Sequence, residues 1–154
     1  MKIRYSNEED KTWIKDILLH DKNVREKLGL SGNNEDSIIK TGSWSATFIG
    51  CINKKRVCFI TIEFAIRKDS VYITDLFVDK KYRKKGYAKK ILDFALAYAK
   101  EDWAANQSHL FTIENEDMNL FISKYGFKKM GTYKNFIKRG NKELDQTLWV
   151  KKLK

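Results

Sequence analysis

Proline is absent from the 154 residues, and no Gly/Ser-rich stretch takes its place. Nothing in the composition therefore marks a linker between domains. Internal repeats and low-complexity segments are missing too, and the length suits one domain spanning 1–154. There are two cysteines, Cys51 and Cys58, and two histidines, His20 and His109. No Cys-x-x-Cys pair occurs, and a structural zinc site needs about four well-spaced ligands. The expectation is no metal and two reduced thiols on neighbouring strands. A turn near Lys54-Lys55 would set them across a hairpin from each other. No apolar run approaches the roughly 20 residues that cross a bilayer. The opening Met1 to Glu8 turns polar and acidic at once, without the apolar stretch of a secretory signal. The sequence thus reads as cytoplasmic, with no membrane partner.

Acidic residues are scarce beside basic ones, 20 against 31, for a formal charge of +11. Two readings follow: a lysine-rich solvated surface, or a polyanionic partner. The excess is clustered. Residues 80–90 carry seven basic side chains, and residues 128–154 carry nine basic against two acidic.

Periodicity supplies the elements. Ile3-Arg4-Tyr5 reads as a short strand. Trp13, Ile14, Ile17 and Leu18 follow helical spacing, extended by Val24 and Leu28 after a break near Asp21. Leu30 to Asn34 reads as a loop. Strands are expected over Ser43–Ile52, Val57–Arg67 and Val71–Val78; the second alternates strictly through Cys58, Ile60, Ile62, Phe64 and Ile66. Ile91, Leu92, Ala95, Tyr98 and Ala99 form a helical stripe from about Gly86 to Asp102. Leu110–Ile113 is a short strand. Asn115 would cap a helix lined by Met118, Phe121, Ile122 and Tyr125, and Gly126 would end it. Two strands close the chain, near Lys128–Ile137 and Leu144–Leu153. The fold class is α+β: a mixed, mostly antiparallel sheet of six to seven strands flanked by about four helices.

The chemistry lies where the third strand of the meander runs through Asp79–Lys85 into a helix. A helix start offers unpaired N–H groups and the positive end of its dipole. Gly86 lets the backbone approach a ligand, and the surrounding basic residues suit a pyrophosphate. Arg-x-x-Gly-x-Ala alone is a weak pattern.

Its setting is more specific. The segment from Ile73 to Ala88 resembles the central motif of the GNAT superfamily of N-acetyltransferases. There an apolar strand leads into a (Gln/Arg)-x-x-Gly-x-(Gly/Ala) loop and a helix. Thr112-Ile113-Glu114-Asn115, followed by Leu120 to Gly126-Phe127, resembles the family's fifth strand, its asparagine and the helix after it. The element order matches over essentially the whole chain. The resemblance implies acetyl-CoA as co-substrate. Backbone groups of Phe77 and Val78 would bind the pantetheine arm. Arg83, Lys84, Lys85, Gly86, Tyr87 and Ala88 would cradle the pyrophosphate, and Asn115 would lie at the pantetheine. Lys80 and Lys84 replace a common proline and glycine, and Ile122 stands where a tyrosine often protonates the leaving thiolate.

For the base the candidates are Asp75, Glu63 and, less favoured, Glu114; for the acid, Tyr125 or Tyr87. A lone His109 reads as structural. The acceptor implied is a primary amine of a small molecule or protein. Alternatives are a toxin-like enzyme acting on aminoacyl-tRNA, and a non-catalytic CoA- or nucleic-acid-binding module. The basic C-terminal third would meet a nucleic acid or an acidic protein, and the protein would be a monomer or homodimer.

Overall fold

The structure, a computed structural model, describes residues 1–20, 44–65, 69–113, 116–139 and 141–153. The expectations for Val24, Leu28, the Leu30–Asn34 loop, Ile66, Glu114 and Asn115 lie outside the described residues. The elements are β1 (Lys2–Tyr5), α1 (Glu8–His20), β2 (Ser45–Ile52), β3 (Lys55–Phe64), β4 (Ser70–Val78), α2 (Tyr87–Glu101), β5 (Gln107–Ile113), α3 (Glu116–Lys124), β6 (Lys128–Arg139) and β7 (Lys142–Lys152). A single 3-10 turn, Lys80–Tyr82, joins β4 to α2. The strands form one sheet in the order β1-β2-β3-β4-β5-β7-β6. Among the described residues only β4 and β5 pair in parallel. This is the expected mixed sheet with its full seven strands. Three α-helices, rather than four, stand among the described residues.

Both faces of the sheet centre are covered. Cys58, Ile60 and Ile62 of β3 join Ile91, Leu92, Ala95 and Ala99 of α2 in the larger core. Phe59 of the same strand points the other way, with Ile49, under Ile14 and Leu18 of α1. Two-sided burial explains why β3 is apolar almost throughout, beyond the one face that alternation marks. Each fully buried side chain of this size contributes about 1.5–3 kcal/mol.

The cysteines are not across from each other. The turn pairs Ile52 with Lys55 and Cys51 with Arg56, and a register shift at Gly50/Cys51 then sets Gly50 opposite Cys58. Cys58 enters the α2 core and Cys51 packs on the α1 side, both as free thiols. Burial pushes the Cys58 thiol up to about 12, so it stays protonated and inert.

Helix ends follow from local chemistry. Asn7 and Asp10 cap α1 reciprocally: the Asp10 amide donates to Asn7 Oδ1 (3.1 Å) and the Asn7 amide to Asp10 Oδ2 (2.7 Å). The same carboxylate, fully buried, takes the Arg4 fork at 2.5 and 2.9 Å and Arg56 Nε at 2.6 Å. Burial alone would raise its pKa. The Arg4, Asn7 and Arg56 hydrogen bonds outweigh that and hold it at about 2. At the end of α3, Gly126 takes φ 97°. Its amide donates to the Ser123 carbonyl (3.0 Å), and that of Phe127 to Ile122 (3.1 Å). The pair is a Schellman cap.

Candidate active site

β4 and β5 pair only from Ser70↔Gln107 to Ile73↔Leu110. Beyond that they part, and the cause is a bulge. Ile73 stands opposite Ile62 and Asp75 opposite Thr61, so Thr74 is an extra residue in β4. A bulge bends its strand and raises the local twist. β5 meanwhile stays paired with β7 through Ile113. From Thr74 to Val78, β4 has β3 on one side and no strand on the other.

Register decides which backbone groups face the gap. The Asp79 amide donates to the Val57 carbonyl at 2.8 Å. Counting back in twos, Phe77 and Asp75 also turn their polar groups to β3, while Leu76 and Val78 aim theirs across the gap. Val78 and Leu76 thus share the free edge. The Phe77 backbone is paired with Phe59, and its side chain stacks on the Phe59 ring at 5.4 Å.

The gap is a cavity of about 650 Å³. Its walls come from both sides of the sheet: Leu18, Phe59 and Phe77 from the α1 side, and Leu110, Met118 and Ile122 from the α2–α3 side. The far wall is braced by Thr112. Its hydroxyl accepts the Trp149 indole N–H (2.8 Å) and donates to Asn119 Oδ1 (2.6 Å), tying α3 to β5.

At one end of the cavity lies the basic loop. Asp79 Oδ1 accepts the Lys81 amide at 2.8 Å and starts the 3-10 turn. Arg83 Nε donates to the Val78 carbonyl at 2.9 Å, holding the loop against the strand end. Lys84 and Gly86 both adopt left-handed backbone, φ 59° and 81°. A Cβ on Gly86 would meet nothing within 4 Å. The glycine is needed for its φ, and the space over it is open. Gly86 is the N-cap of α2 and brings no side-chain cap. The first helical bond runs from the Lys90 amide to the Gly86 carbonyl at 3.1 Å. The amides of Tyr87, Ala88 and Lys89 precede it and have no intrahelical acceptor. Exposed Lys80, Lys81, Arg83, Lys84 and Lys85 surround them. Unpaired amides, a helix dipole and clustered cations make an anion site.

Toward the other end stands Asp75, half-buried on the α1 side. Desolvation pushes its carboxyl up to about 6. The Thr74 hydroxyl bond opposes the rise, and the charge of Glu63 adds to it. Glu63 lies on β3, opposite Tyr72.

Of the residues singled out in the sequence, Asp75, Phe77, Val78, Arg83, Lys84, Gly86, Tyr87 and Ala88 line this one cavity. Glu63 and Lys85 are not among its described walls; Lys85 Nζ sits 5.7 Å from the Tyr82 ring centre. Tyr125 is turned elsewhere. Its hydroxyl donates to Asp93 of α2, and the Lys151 ammonium lies 5.2 Å from its ring centre. Burial and the Asp93 carboxylate hold the phenol protonated. Ile122 is buried and lines the cavity. His109 packs edge-on to Tyr72. Leu76 was missed by sequence reasoning, although the period of two already groups it with Val78 rather than Phe77. Asn115 lies outside the described residues. Among the described residues, no group of three or more His, Cys, Asp or Glu could hold a metal ion, and no helix is long and apolar enough to cross a membrane.

A splayed parallel strand pair thus leaves a free backbone edge that ends at a helix start with unpaired amides and clustered cations. Residues 43–129 match the acetyltransferase (GNAT) domain, over half of the chain, and the chain belongs to this family of acetyl-CoA-dependent N-acetyltransferases. Solved structures agree in fold. The smu.2055 protein of Streptococcus mutans UA159 aligns over 100% of both chains with a TM-score of 0.86 and 18% identity. The spermidine N-acetyltransferase of Vibrio cholerae, solved with CoA and spermine, gives 0.85 and 14%, covering 99% of this chain and 95% of its own. The ribosomal-protein-S18-alanine N-acetyltransferase of Escherichia coli gives 0.81 and 13%, covering 99% and 93%. Among curated proteins none matches at the sequence level.

Proposed function

We propose that the β4–β5 cleft binds acetyl-CoA and that the protein transfers the acetyl group to a primary amine of a small molecule or protein. One observation carries this reading: the free edge at Leu76 and Val78 and the unpaired amides at the start of α2 open onto the same cavity. The pantetheine arm, an extended chain with two amides, would add to β4 as a strand does, bonding to Leu76 and to the Val78 N–H. The Arg83 amide is taken by the Lys80 carbonyl, so the pyrophosphate would rest on the unpaired amides of Tyr87, Ala88 and Lys89, with the lysines around it. Amine acceptors are named for relatives in fold, spermidine and a ribosomal-protein alanine.

The amine would reach the thioester from the α1 side, past Asp75. A protonated amine has no lone pair to donate. With a pKa of about 6, Asp75 is ionised at neutral pH yet basic enough to take the proton. The nitrogen then attacks the carbonyl carbon, the C–S bond breaks, and CoA leaves as a thiolate. A thiol pKa near 8.5 makes that thiolate a good leaving group near neutrality. Ile122 can give it no proton, and the Tyr125 hydroxyl is committed to Asp93. We infer that the sulfur takes its proton from water. Glu63 acts through Asp75, by raising its basicity.

The aminoacyl-tRNA alternative rested on the basic C-terminal third. There Lys134 is paired with Asp145 (2.5 Å), Lys138 stands opposite Glu143, and Lys151 is held on Tyr125. At most two of the nine basic residues there face a carboxylate, so the region keeps a clear positive excess and the aminoacyl-tRNA reading stands as the alternative; the small-amine and protein acceptors are preferred because they are the ones named for relatives in fold.

Gly86→Glu tests the cofactor placement. A carboxylate would stand in the open space over the helix start, and acetyl-CoA binding measured by calorimetry should fall below detection. Unchanged affinity in a folded variant would move the cofactor elsewhere.

A further inference from the structure

The α1 side of the sheet carries an exposed aromatic row that the proposed transfer does not use. Alternation on β5 sends Leu110 and Thr112 toward the α2 core and Phe111 the other way. Phe111 stacks on Tyr72, with ring centres 6.1 Å apart and planes at 20°. It lies 6.5 Å from the Tyr133 ring, which lies 5.4 Å from that of Phe136. Phe111, Tyr133 and Phe136 are 41%, 49% and 62% exposed. Single exposed aromatics are ordinary, but three in one contiguous row are a docking surface in want of a ligand.

The row is built by a second bulge. Tyr133 stands opposite Gln146 and Ile137 opposite Leu144, so β6 spends two more residues than β7 over this stretch. Asn135 takes φ 52° there. Asp145 pins the excursion, accepting the Asn135 amide at 3.0 Å and the Lys134 ammonium at 2.5 Å. The bulge brings Phe136 out beside Tyr133.

Two features say what the row would hold. Phe111 is at once a member of the row and a wall of the cavity that contains Asp75, so the surface leads to the proposed transfer point. At that end two carboxylates, Asp75 and Glu63, stand on adjacent strands. Farther along, Asp145 is already neutralised by Lys134. Among the described residues, the carboxylates nearest the row's cavity end are therefore Asp75 and Glu63, with Asp117 on another wall of the same cavity, and the row itself is aromatic.

We propose that the acceptor is a primary amine carried on an aromatic group. Its ammonium is drawn to Asp75 and Glu63, and its ring lies on Phe111, Tyr133 and Phe136. This rests on the reading of Asp75 as the acceptor end of the cleft. A polyamine, with several spaced cations, would find no carboxylate among the three described residues of the row itself. Ring-on-ring contact and the attraction of an ammonium for aromatic faces both favour the arylalkyl class. Acetylation makes the nitrogen neutral, which removes the attraction to the carboxylates and helps the product leave.

The test uses the full chain and acetyl-CoA, with CoA thiol release measured for tryptamine, 2-phenylethylamine, n-butylamine, spermidine and a short peptide with a free N-terminus. The aryl amines should show kcat/KM at least about tenfold above the others. Phe136→Ala should lower the tryptamine value about tenfold, chiefly through KM, and leave n-butylamine turnover and acetyl-CoA affinity within about twofold. Preference for spermidine or the peptide would overturn the proposal. So would an equal loss for every amine, or a wild-type dimer that Phe136→Ala dissociates, since a second copy would then cover the row. Calorimetry of tryptamine without acetyl-CoA separates this inference from its parent. If acetyl-CoA does not bind while tryptamine binds and Phe136→Ala abolishes it, the cofactor reading fails and the row stands. If acetyl-CoA binds and tryptamine does so no better than n-butylamine, the row fails alone.

Discussion

Asp75→Asn should make the protein more stable and nearly inactive, and pH should separate the two effects. In the folded protein desolvation raises the Asp75 pKa from an ordinary 3.8 to about 6. The folded state therefore holds this proton more tightly than the unfolded state does. Stability from this group falls as pH rises from about 4 to about 6, and above 6 the full penalty is present. Roughly two pKa units correspond to about 3 kcal/mol, an upper limit because asparagine keeps only part of the bonding to Thr74 and Thr61. For a chain of this size about 2–3 kcal/mol raises Tm by roughly 5–10 °C. Thermal unfolding at pH 7.5 should show that rise, and at pH 4, where both side chains are neutral, it should vanish. In the same variant kcat should fall about 10²–10⁴-fold, while acetyl-CoA affinity stays within about twofold. In the wild type, kcat at saturating amine should fall on the acid side with a midpoint near 6. The quantity to follow is kcat, because kcat/KM also follows the titration of the free amine. A stability gain equal at pH 4 and 7.5 would show that the strain is not electrostatic. Retention of more than about a tenth of the turnover would take the base away from Asp75.

Three further perturbations probe other parts of the same structure. Asp10→Asn leaves the Arg4 and Arg56 guanidinium groups, both partly exposed to water, facing a neutral amide and should cost about 1–3 kcal/mol by urea unfolding. In the wild type the folded Asp10 pKa, about 2, lies below the ordinary 3.8, so its contribution of about 2 kcal/mol is present above pH 4 and is lost as pH falls from about 4 to 2; an Asp10→Asn variant with an unchanged acid midpoint would refute this. Tyr125→Phe removes the hydroxyl bond from α3 to Asp93 of α2 and should cost about 1 kcal/mol, with kcat within about twofold of wild type. A fall of about 100-fold or more would instead make that phenol the acid at sulfur. Gly86→Ala meets no steric obstacle but forces an L residue to φ 81°, so it should lose about 1 kcal/mol of stability and keep acetyl-CoA binding, in contrast to Gly86→Glu.

What could be read in the sequence was what depends on near neighbours along the chain. The β3 alternation, the Ile91–Ala99 stripe, the Gly126 cap and the Arg83–Ala88 loop are local patterns, and each fell on the element expected for it. What could not be read depends on which residues stand opposite each other. The Thr74 bulge exists only as a mismatch between β4 and β3, yet it opens the cleft. The choice of Leu76 over Phe77 for the free edge needs the anchor of Asp79 on Val57, two strands' worth of register rather than one strand's composition. The cysteines miss each other because the turn pairs Ile52 with Lys55 and so sets Cys51 opposite Arg56. Nothing local in the sequence sets Asp10 apart from Glu8 and Glu9, because Arg56 reaches it from β3, far away in sequence. Tyr125 shares a helix with Ile122, but its hydroxyl is claimed by Asp93 from a different helix. The unread features are thus the ones on which the proposed chemistry depends: a bulge opens the proposed cofactor edge, a second bulge raises the aromatic row, and the Glu63 carboxylate on the next strand raises the Asp75 pKa. Bulges change which face and which edge a residue serves without changing the local pattern around it. A period-two reading of β4 and β6 alone therefore places the strands correctly and leaves the site half assembled.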